Sequence, residues 1–195
     1  GIGSLADLKG RTVGVGPAGG PGEVFFRGLT AELGIETMIA TGSATELARR
    51  VIDGEIDAFW FGAGLPVGVF AHVIEKGDGI VFGLTDAEVA AFRRVFAYAA
   101  PYEIPARTYK GQEQPMRTVA IWNFVLATDR LGDDVAYAVT KTAFEKAAAL
   151  RAEVPAASGT LAVNARTNAF LPFHPGALRY YREAKVEIPA VLVPN

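Results

Sequence analysis

The stretch RTVGVGPAGGPGEVFFRGLTAELG, residues 11–34, places a strand, a glycine-rich turn and a helix in direct succession. Arg11–Gly16 is a short run of β-branched residues and glycine, which is typical of a strand that ends in a turn. Apolar residues recur at helical spacing over Glu23–Leu33, and Gly34 stands where a glycine commonly ends a helix. The pattern predicts a strand–turn–helix unit, the usual opening of an α/β fold.

The alternation of strand and helix continues beyond this unit. Capping-box spacing at Ser43–Glu46 and Thr85–Glu88 predicts the start of two further helices, and Pro66 predicts the start of another. A sequence that alternates in this way favours a mostly parallel sheet with helices on its faces. The further strands are predicted at Glu36–Thr41, Ile56–Phe61 and Ile80–Leu84.

The pattern changes after Ala97, where Pro101, Pro105 and Pro115 interrupt a polar stretch. Prolines at this density predict a connection between two parts of the fold. The sequence beyond it predicts one long strand and two helices, at Thr118–Thr128, Asp133–Glu153 and Gly176–Lys185.

The composition indicates a globular chain and excludes several classes of function. Hydrophobic residues make up 50% and charged residues 21% of the 195 residues, which suits a packed core. The formal net charge of −2 gives no basic field for nucleic acid, and the absence of cysteine excludes disulfides and thiolate chemistry. With His72 and His174 as the two histidines, we expect no metal site and no cofactor. No run of about 18 apolar residues is present, as a membrane span requires. Because the chain begins at Gly1 without a signal peptide, we expect a processed or truncated product.

The glycine turn itself is open to three interpretations. Gly14, Gly16 and Gly19 spell G-x-G-x-x-G, the fingerprint of a dinucleotide-binding turn. Free backbone N–H groups and the positive end of a helix dipole meet at such a turn, so it suits any small anion. A dinucleotide also needs an acid at the end of the second strand, and residues 39–42 supply none. We therefore favour a small anion, with a purely structural turn next and a nucleotide last.

A second candidate region follows the strand predicted at Ile56–Phe61. In open α/β sheets, ligands bind just beyond the carboxyl ends of the strands. Trp60 is placed to line a pocket there with its apolar face and its single N–H, although core packing explains it equally well. The turn Gly62–Ala63–Gly64 either lets a ligand approach the backbone closely or simply reverses the chain.

Three side chains farther along the chain complete the candidate site. The hydroxyl of Tyr109 either reaches a cleft or makes a structural hydrogen bond in the core. Trp122 and Asn123 lie on the long predicted strand, where a buried asparagine needs hydrogen-bond partners that a ligand can supply. We find no arrangement of serine, histidine and aspartate that would support catalysis, so no catalytic residue is assigned.

Six short segments occur in an order and at spacings that are informative together. They are DLKGR at 7–11, the glycine turn that ends at Glu23, DGEIDAF at 53–59, GLP at 64–66, IPARTY at 104–109 and VAY at 135–137. In this order they resemble the TAXI family of solute-binding proteins, the periplasmic receptors of tripartite ATP-independent (TRAP) transporters. The resemblance covers nearly the whole chain.

The resemblance implies a type II periplasmic-binding-protein fold, in which two α/β lobes close over a small carboxylate-bearing solute such as glutamate. Residues 1–114 would form most of the second lobe, and residues 115–195 would supply a crossing strand and C-terminal helices that return to the first lobe. Members of the family carry about one more lobe's worth of residues before position 7, so half of the cleft would lie outside this chain. The resemblance also implies a non-enzymatic periplasmic receptor that docks on membrane permease subunits.

The chain departs from the family at the glycine turn. Where the family has Gly-Ser-Gly-Thr-Glu, this sequence has Gly19-Gly20-Pro21-Gly22-Glu23, so two hydroxyl donors are replaced by glycine. We predict that Gly19, Gly20, Gly22 and Glu23 bind the solute, with amides near Gly20 and Gly22 facing a cleft that Trp60 also lines. Two alternatives stay open, a nucleotide-dependent α/β enzyme domain and the effector-sensing domain of a transcriptional regulator.

Overall fold

A computed structural model describes residues 1–168 and 170–194, without the side chains of residues 155 and 156. The chain divides into two compact units, Gly1–Ile121 and Trp122–Asn195. The assignment of residues 1–114 and 115–195 to two lobes stays a prediction.

The first unit is built on a parallel sheet of three short strands, β1 (Thr12–Gly14), β2 (Met38–Ala40) and β3 (Ala58–Phe59). Strand β1 lies in the middle, with Val13 opposite Ile39 of β2 on one side and Ala58 of β3 on the other. The predicted α/β class and its parallel sheet flanked by helices are confirmed.

Four helices accompany this sheet, α1 (Pro21–Leu33), α2 (Ala44–Ile52), α3 (Gly68–Gly77) and α4 (Asp86–Val95). Their ends follow the local signals in the sequence. Gly34 ends α1 in the left-handed conformation with φ 65°, which glycine adopts without a steric cost. The Ser43 side chain accepts the Glu46 N–H at the start of α2. Thr85 and Glu88 form both bonds of a capping box at the start of α4.

The two faces of the central strand pack against different helices, because successive side chains of a strand point to opposite faces. Val13 and Val15 are fully buried in the largest hydrophobic cluster, together with Phe26 of α1 and Phe92 of α4. Complete burial of each such side chain stabilises the fold by about 1.5–3 kcal/mol. On the other face Gly14 abuts Leu47 of α2, in line with a second cluster formed by Ala40, Leu47 and Ile56.

The prediction of a strand at Ile80–Leu84 is wrong, since these residues are neither helix nor strand. A single backbone bond, from Leu84 N to Arg117 O at 2.8 Å, joins the segment to its neighbour. The proline-rich connection instead contains strand β4 (Ala100–Ile104), which pairs antiparallel with β5 (Met116–Ala120). Pro101 is tolerated in β4 because an edge strand does not need every N–H group.

Residues 105–115 form the loop of this hairpin, and Gln112 organises it. The Gln112 Oε1 accepts the N–H of Tyr109 at 3.2 Å, while its Nε2 donates to Pro105 O at 3.0 Å and Gln114 O at 2.9 Å. All of the hydrogen-bonding groups of one side chain are thereby used inside the loop, which holds Tyr109 at a fixed position.

The second unit is mainly helical, with α5 (Asp133–Glu145), α6 (Ala147–Glu153) and α7 (Pro175–Glu183). The long strand predicted at Thr118–Thr128 extends only over β5, and residues 121–128 have no regular structure. The long helix predicted at Asp133–Glu153 is interrupted at Lys146, whose φ of −94° and ψ of 7° are not helical.

Helices α5 and α7 pack together at a glycine. A side chain at Gly176 would overlap the backbone carbonyl of Asp133, so glycine is required for this close approach. Above the contact, the Arg179 guanidinium lies 3.9 Å from the centre of the Tyr137 ring and donates to Asp134 at 2.9 Å. His174 precedes α7 and caps it by accepting the Gly176 N–H.

Within the described residues, every helix is too short or too polar to cross a lipid bilayer.

Candidate functional site

The two predicted binding turns lie at neighbouring strand ends. The chain leaves the central strand β1 toward β2 on one side and later returns to β3 on the other. The carboxyl ends of β1 and β3 therefore form the switch point of the sheet, where ligands of open α/β folds bind. The N–H of Trp60 donates to Gly14 O at 2.8 Å, which ties the start of one turn to the end of the neighbouring strand.

The glycine turn owes its shape to two left-handed residues. Gly16 has φ 87° and Gly19 has φ 71°, values that side chains with a Cβ adopt only with strain. The N–H of Gly20 donates to Pro17 O at 2.9 Å and closes the turn on itself. Of the two amides predicted to face a cleft, that of Gly20 is thus already used within the turn.

The donors that remain lie in the first turn of α1. The N–H groups of Gly22 and Glu23 have no intrahelical acceptor, as at every helix start, and Pro21 has no N–H. Gly20 caps the helix without a side-chain bond. Gly22 has a packing role as well, because a Cβ there would overlap the carbonyl O of Val15. Its lack of a side chain thus brings α1 against the end of β1.

Glu23 braces the turn with both carboxylate oxygens. Its Oε2 accepts the Gly19 N–H at 2.8 Å, and its Oε1 accepts the Arg27 Nε at 2.7 Å. The side chain is 16% exposed. The Gly19 amide, and after it the Arg27 guanidinium, lowers the pKa of this carboxyl. The carboxylate is therefore committed to holding the turn, and its predicted contact with a solute stays a prediction.

Trp60 and Phe61 point to different parts of the core. Trp60 packs against the largest cluster, with its ring centre 5.6 Å from that of Phe26. Phe61 is half-buried, and a Cβ at Gly16 would stand 3.8 Å from its ring. Phe61 is thus the aromatic residue beside the glycine turn. The direction in which the Phe61 ring points depends on packing, and no local sequence pattern predicts it.

Gly62, Ala63 and Gly64 are exposed after β3. A Cβ at Gly62 would meet no described atom within 4 Å, so the backbone is open to solvent there. This accessibility is compatible with the predicted close approach of a ligand, which stays a prediction.

Tyr109 is buried and makes a structural hydrogen bond. It is 5% exposed, and its hydroxyl accepts the backbone N–H of Val67 at 3.0 Å, just before α3. Burial raises the pKa of the phenol. Of the two interpretations of Tyr109, this geometry favours the structural one.

Trp122 and Asn123 belong to the second unit. Asn123 is exposed, and Trp122 is half-buried. Among the described residues, the Trp122 Nε1 is buried and finds no hydrogen-bond acceptor. A buried donor without an acceptor requires an explanation, so a binding role for Trp122 stays open as a prediction.

The described part of the chain contains no group of three or more acidic or histidine side chains that could hold a metal ion. The donors at the switch point are backbone N–H groups and the partial positive charge of a helix start. They can hold the carboxylate of a small molecule without a metal.

The chain also matches a known protein family. The model of the NMT1-like family matches residues 1–184, nearly the whole chain. The family is periplasmic-binding-protein-like, which indicates that its members bind a small solute. Proteins of this kind are usually located outside the cytoplasm. The match is long enough to decide membership, and the chain belongs to the NMT1-like family.

Proposed function

We propose that this chain is an extracytoplasmic solute-binding receptor of a TRAP transporter and binds a small carboxylate-bearing solute. The observation that carries the proposal is the position of the two turns, residues 16–20 and residues 60–64, at the adjoining carboxyl ends of β1 and β3. This is the binding position of an open α/β sheet. The receptor class comes from the resemblance to the TAXI family, which is related to the NMT1-like family in fold.

The proposed contacts follow from the donors at this edge. The solute carboxylate accepts the N–H groups of Gly22 and Glu23, and the dipole of the 13-residue helix α1 favours its negative charge. The rest of the solute lies over the exposed turn of Gly62–Gly64 and beside Phe61. Trp122 and Asn123 remain proposed solute-binding residues, as in the sequence analysis, and docking on permease subunits completes the proposed role.

We also propose, as the resemblance implies, that the second part of the chain associates with the first lobe of the receptor. Val125 is 89% exposed and Leu126 is 76% exposed. No hydrogen bond among the described residues reaches the backbone of residues 122–127. Adjacent apolar side chains on an unpaired segment commonly mark a surface that another polypeptide segment covers.

Titration calorimetry of the receptor with its first lobe present, using a panel of small mono- and dicarboxylates, tests the function. We expect at least one acid to bind, and we expect Gly62→Val to abolish that binding. A Cβ at this position meets no neighbouring atom within 4 Å, and the melting temperature should stay unchanged. Gly3→Val is the matched control, because it also adds bulk at an open glycine but lies before β1. Unchanged affinity in Gly62→Val would contradict the proposed site.

A panel without any bound acid would contradict the proposed function. Micromolar binding of a nucleotide would instead support a nucleotide-dependent enzyme domain. Binding of a regulatory effector unrelated to transport would support the effector-sensing domain of a transcriptional regulator.

A further inference from the structure

Four aromatic rings form a continuous row that begins at the switch point. Phe61 stacks on Phe59 with ring centres 5.4 Å apart and planes 28° from parallel. Phe59 meets Phe70 edge-to-face at 5.6 Å, and Phe70 lies 6.3 Å from Tyr109. Tyr109 is fixed in turn by its bond to the Val67 N–H. The ring of Phe61 is therefore held in place by a chain of packed neighbours.

The other side of Phe61 adjoins the glycine turn. The ring atoms Cδ2 and Cε2 would be 3.8 Å from a Cβ at Gly16. This is ordinary contact distance, so any side chain at position 16 would cover that edge of the ring. Gly16, held at φ 87°, leaves it uncovered. A fixed aromatic ring thus lies immediately beside the turn that precedes the free N–H groups of α1.

We propose that Phe61 determines solute specificity and selects carboxylates attached to an aromatic or similarly flat apolar body. This inference rests on the solute-binding function proposed above. It replaces the glutamate-like solute that the family resemblance implies with an aromatic monocarboxylate.

Two physical effects favour such a solute. Aromatic pairs in offset or edge-to-face geometry gain attraction beyond their buried area, and a ring already held in place loses no conformational freedom on binding. An aliphatic dicarboxylate gains neither effect. Its second charged group would also have to lie near an apolar ring, where it loses hydration without gaining a partner.

The experiment compares phenylacetate with glutarate by calorimetry on the same receptor with its first lobe present, as wild type and as variants. We expect phenylacetate to bind at least tenfold more tightly than glutarate. Phe61→Leu should weaken phenylacetate at least tenfold and change glutarate less than twofold. Phe61→Tyr keeps the ring and should retain the preference. Tyr102→Leu removes an aromatic ring that is 44% exposed on β4 and should change neither affinity.

The outcomes separate this inference from the proposed function. Equal affinities of the two acids, or a preference that survives in Phe61→Leu, would overturn the inference while leaving a carboxylate receptor in place. Binding of neither acid, nor of any other carboxylate, would overturn the function and the inference together. If Phe61→Leu does not fold, as judged by circular dichroism, Phe61→Ile and Phe61→Met serve as aromatic-free replacements with the same expected loss of preference.

Discussion

The backbone N–H of Gly19 donates to the Oε2 of Glu23 across 2.8 Å, so the acid at the start of α1 holds the turn that precedes it. Arg27, one helical turn later, donates to the other oxygen of the same carboxylate. The turn is therefore fixed before any solute arrives. Such preorganisation lowers the ordering cost of binding.

Glu23→Gln is expected to lower the melting temperature near neutral pH, with the loss disappearing in acid. The Gly19 amide and Arg27 lower the pKa of Glu23 in the folded protein. A carboxyl of this kind adds stability above its unfolded pKa, about 4.3, and loses that contribution as pH falls through the folded pKa. Thermal unfolding between about pH 3 and pH 7 measures the effect. Glu36→Gln, at an exposed acid without a described side-chain bond, is the control. A difference between wild type and Glu23→Gln that does not vary with pH would contradict the bracing role.

Gly22→Ala is expected to destabilise the fold by about 1–3 kcal/mol, the usual cost of forcing an extra carbon into a packed region. A Cβ at this position overlaps the carbonyl O of Val15, so α1 must move away from β1. Chemical denaturation measures the change. Gly62→Ala, at an open position, should change stability by less than about 0.5 kcal/mol. Equal stabilities of the two variants would show that Gly22 is not required for packing.

Local signals predicted the helix starts and the sheet class, because those signals act within a few residues. The side chains of Thr85 and Glu88 each accept the backbone N–H of the other residue. Gly34 ends its helix through its own left-handed conformation alone. The prediction of a strand at Ile80–Leu84 was wrong for a non-local reason. Gly83 lies against the backbone of Arg117, and one hydrogen bond at Leu84 does not make a strand. Strand pairing depends on distant residues that a single sequence pattern does not reveal.

The candidate site was predictable as two turns but not as a set of side chains. Parallel strands bring their carboxyl ends to one edge, so the order of elements along the chain already placed residues 16–20 near residues 60–64. Which ring lies beside the turn depends on the packing of the whole unit. Trp60 turns to Phe26, and Phe61 turns to Gly16. Tyr109 is likewise placed by hydrogen bonds with Gln112 and Val67 that no local pattern predicted.

We expect no binding of NAD or ATP in calorimetry at millimolar ligand. Strand β2 ends at Ala40 and the chain continues as Thr41 and Gly42, so the strand end itself carries no acid at the position that binds the ribose of a dinucleotide. The Gly20 amide, which a phosphate-binding turn would leave free, is bonded to Pro17 O. Micromolar affinity for either nucleotide would contradict this prediction and favour an enzyme domain.

Tyr109→Phe is expected to cost about 1–3 kcal/mol of unfolding free energy, because the N–H of Val67 loses its acceptor in a buried position. Tyr102→Phe, at an exposed ring of β4, should change stability by less than about 0.5 kcal/mol.

Burial raises the pKa of Tyr109. Its contribution is therefore complete below the unfolded pKa of about 10 and is lost as pH rises through the folded pKa. The stability difference between wild type and Tyr109→Phe should thus shrink in strong base. Denaturant unfolding at several pH values measures it, and carboxylate titration of the same variants separates the two roles. A loss of solute affinity without a loss of stability would place the Tyr109 hydroxyl in the binding site instead.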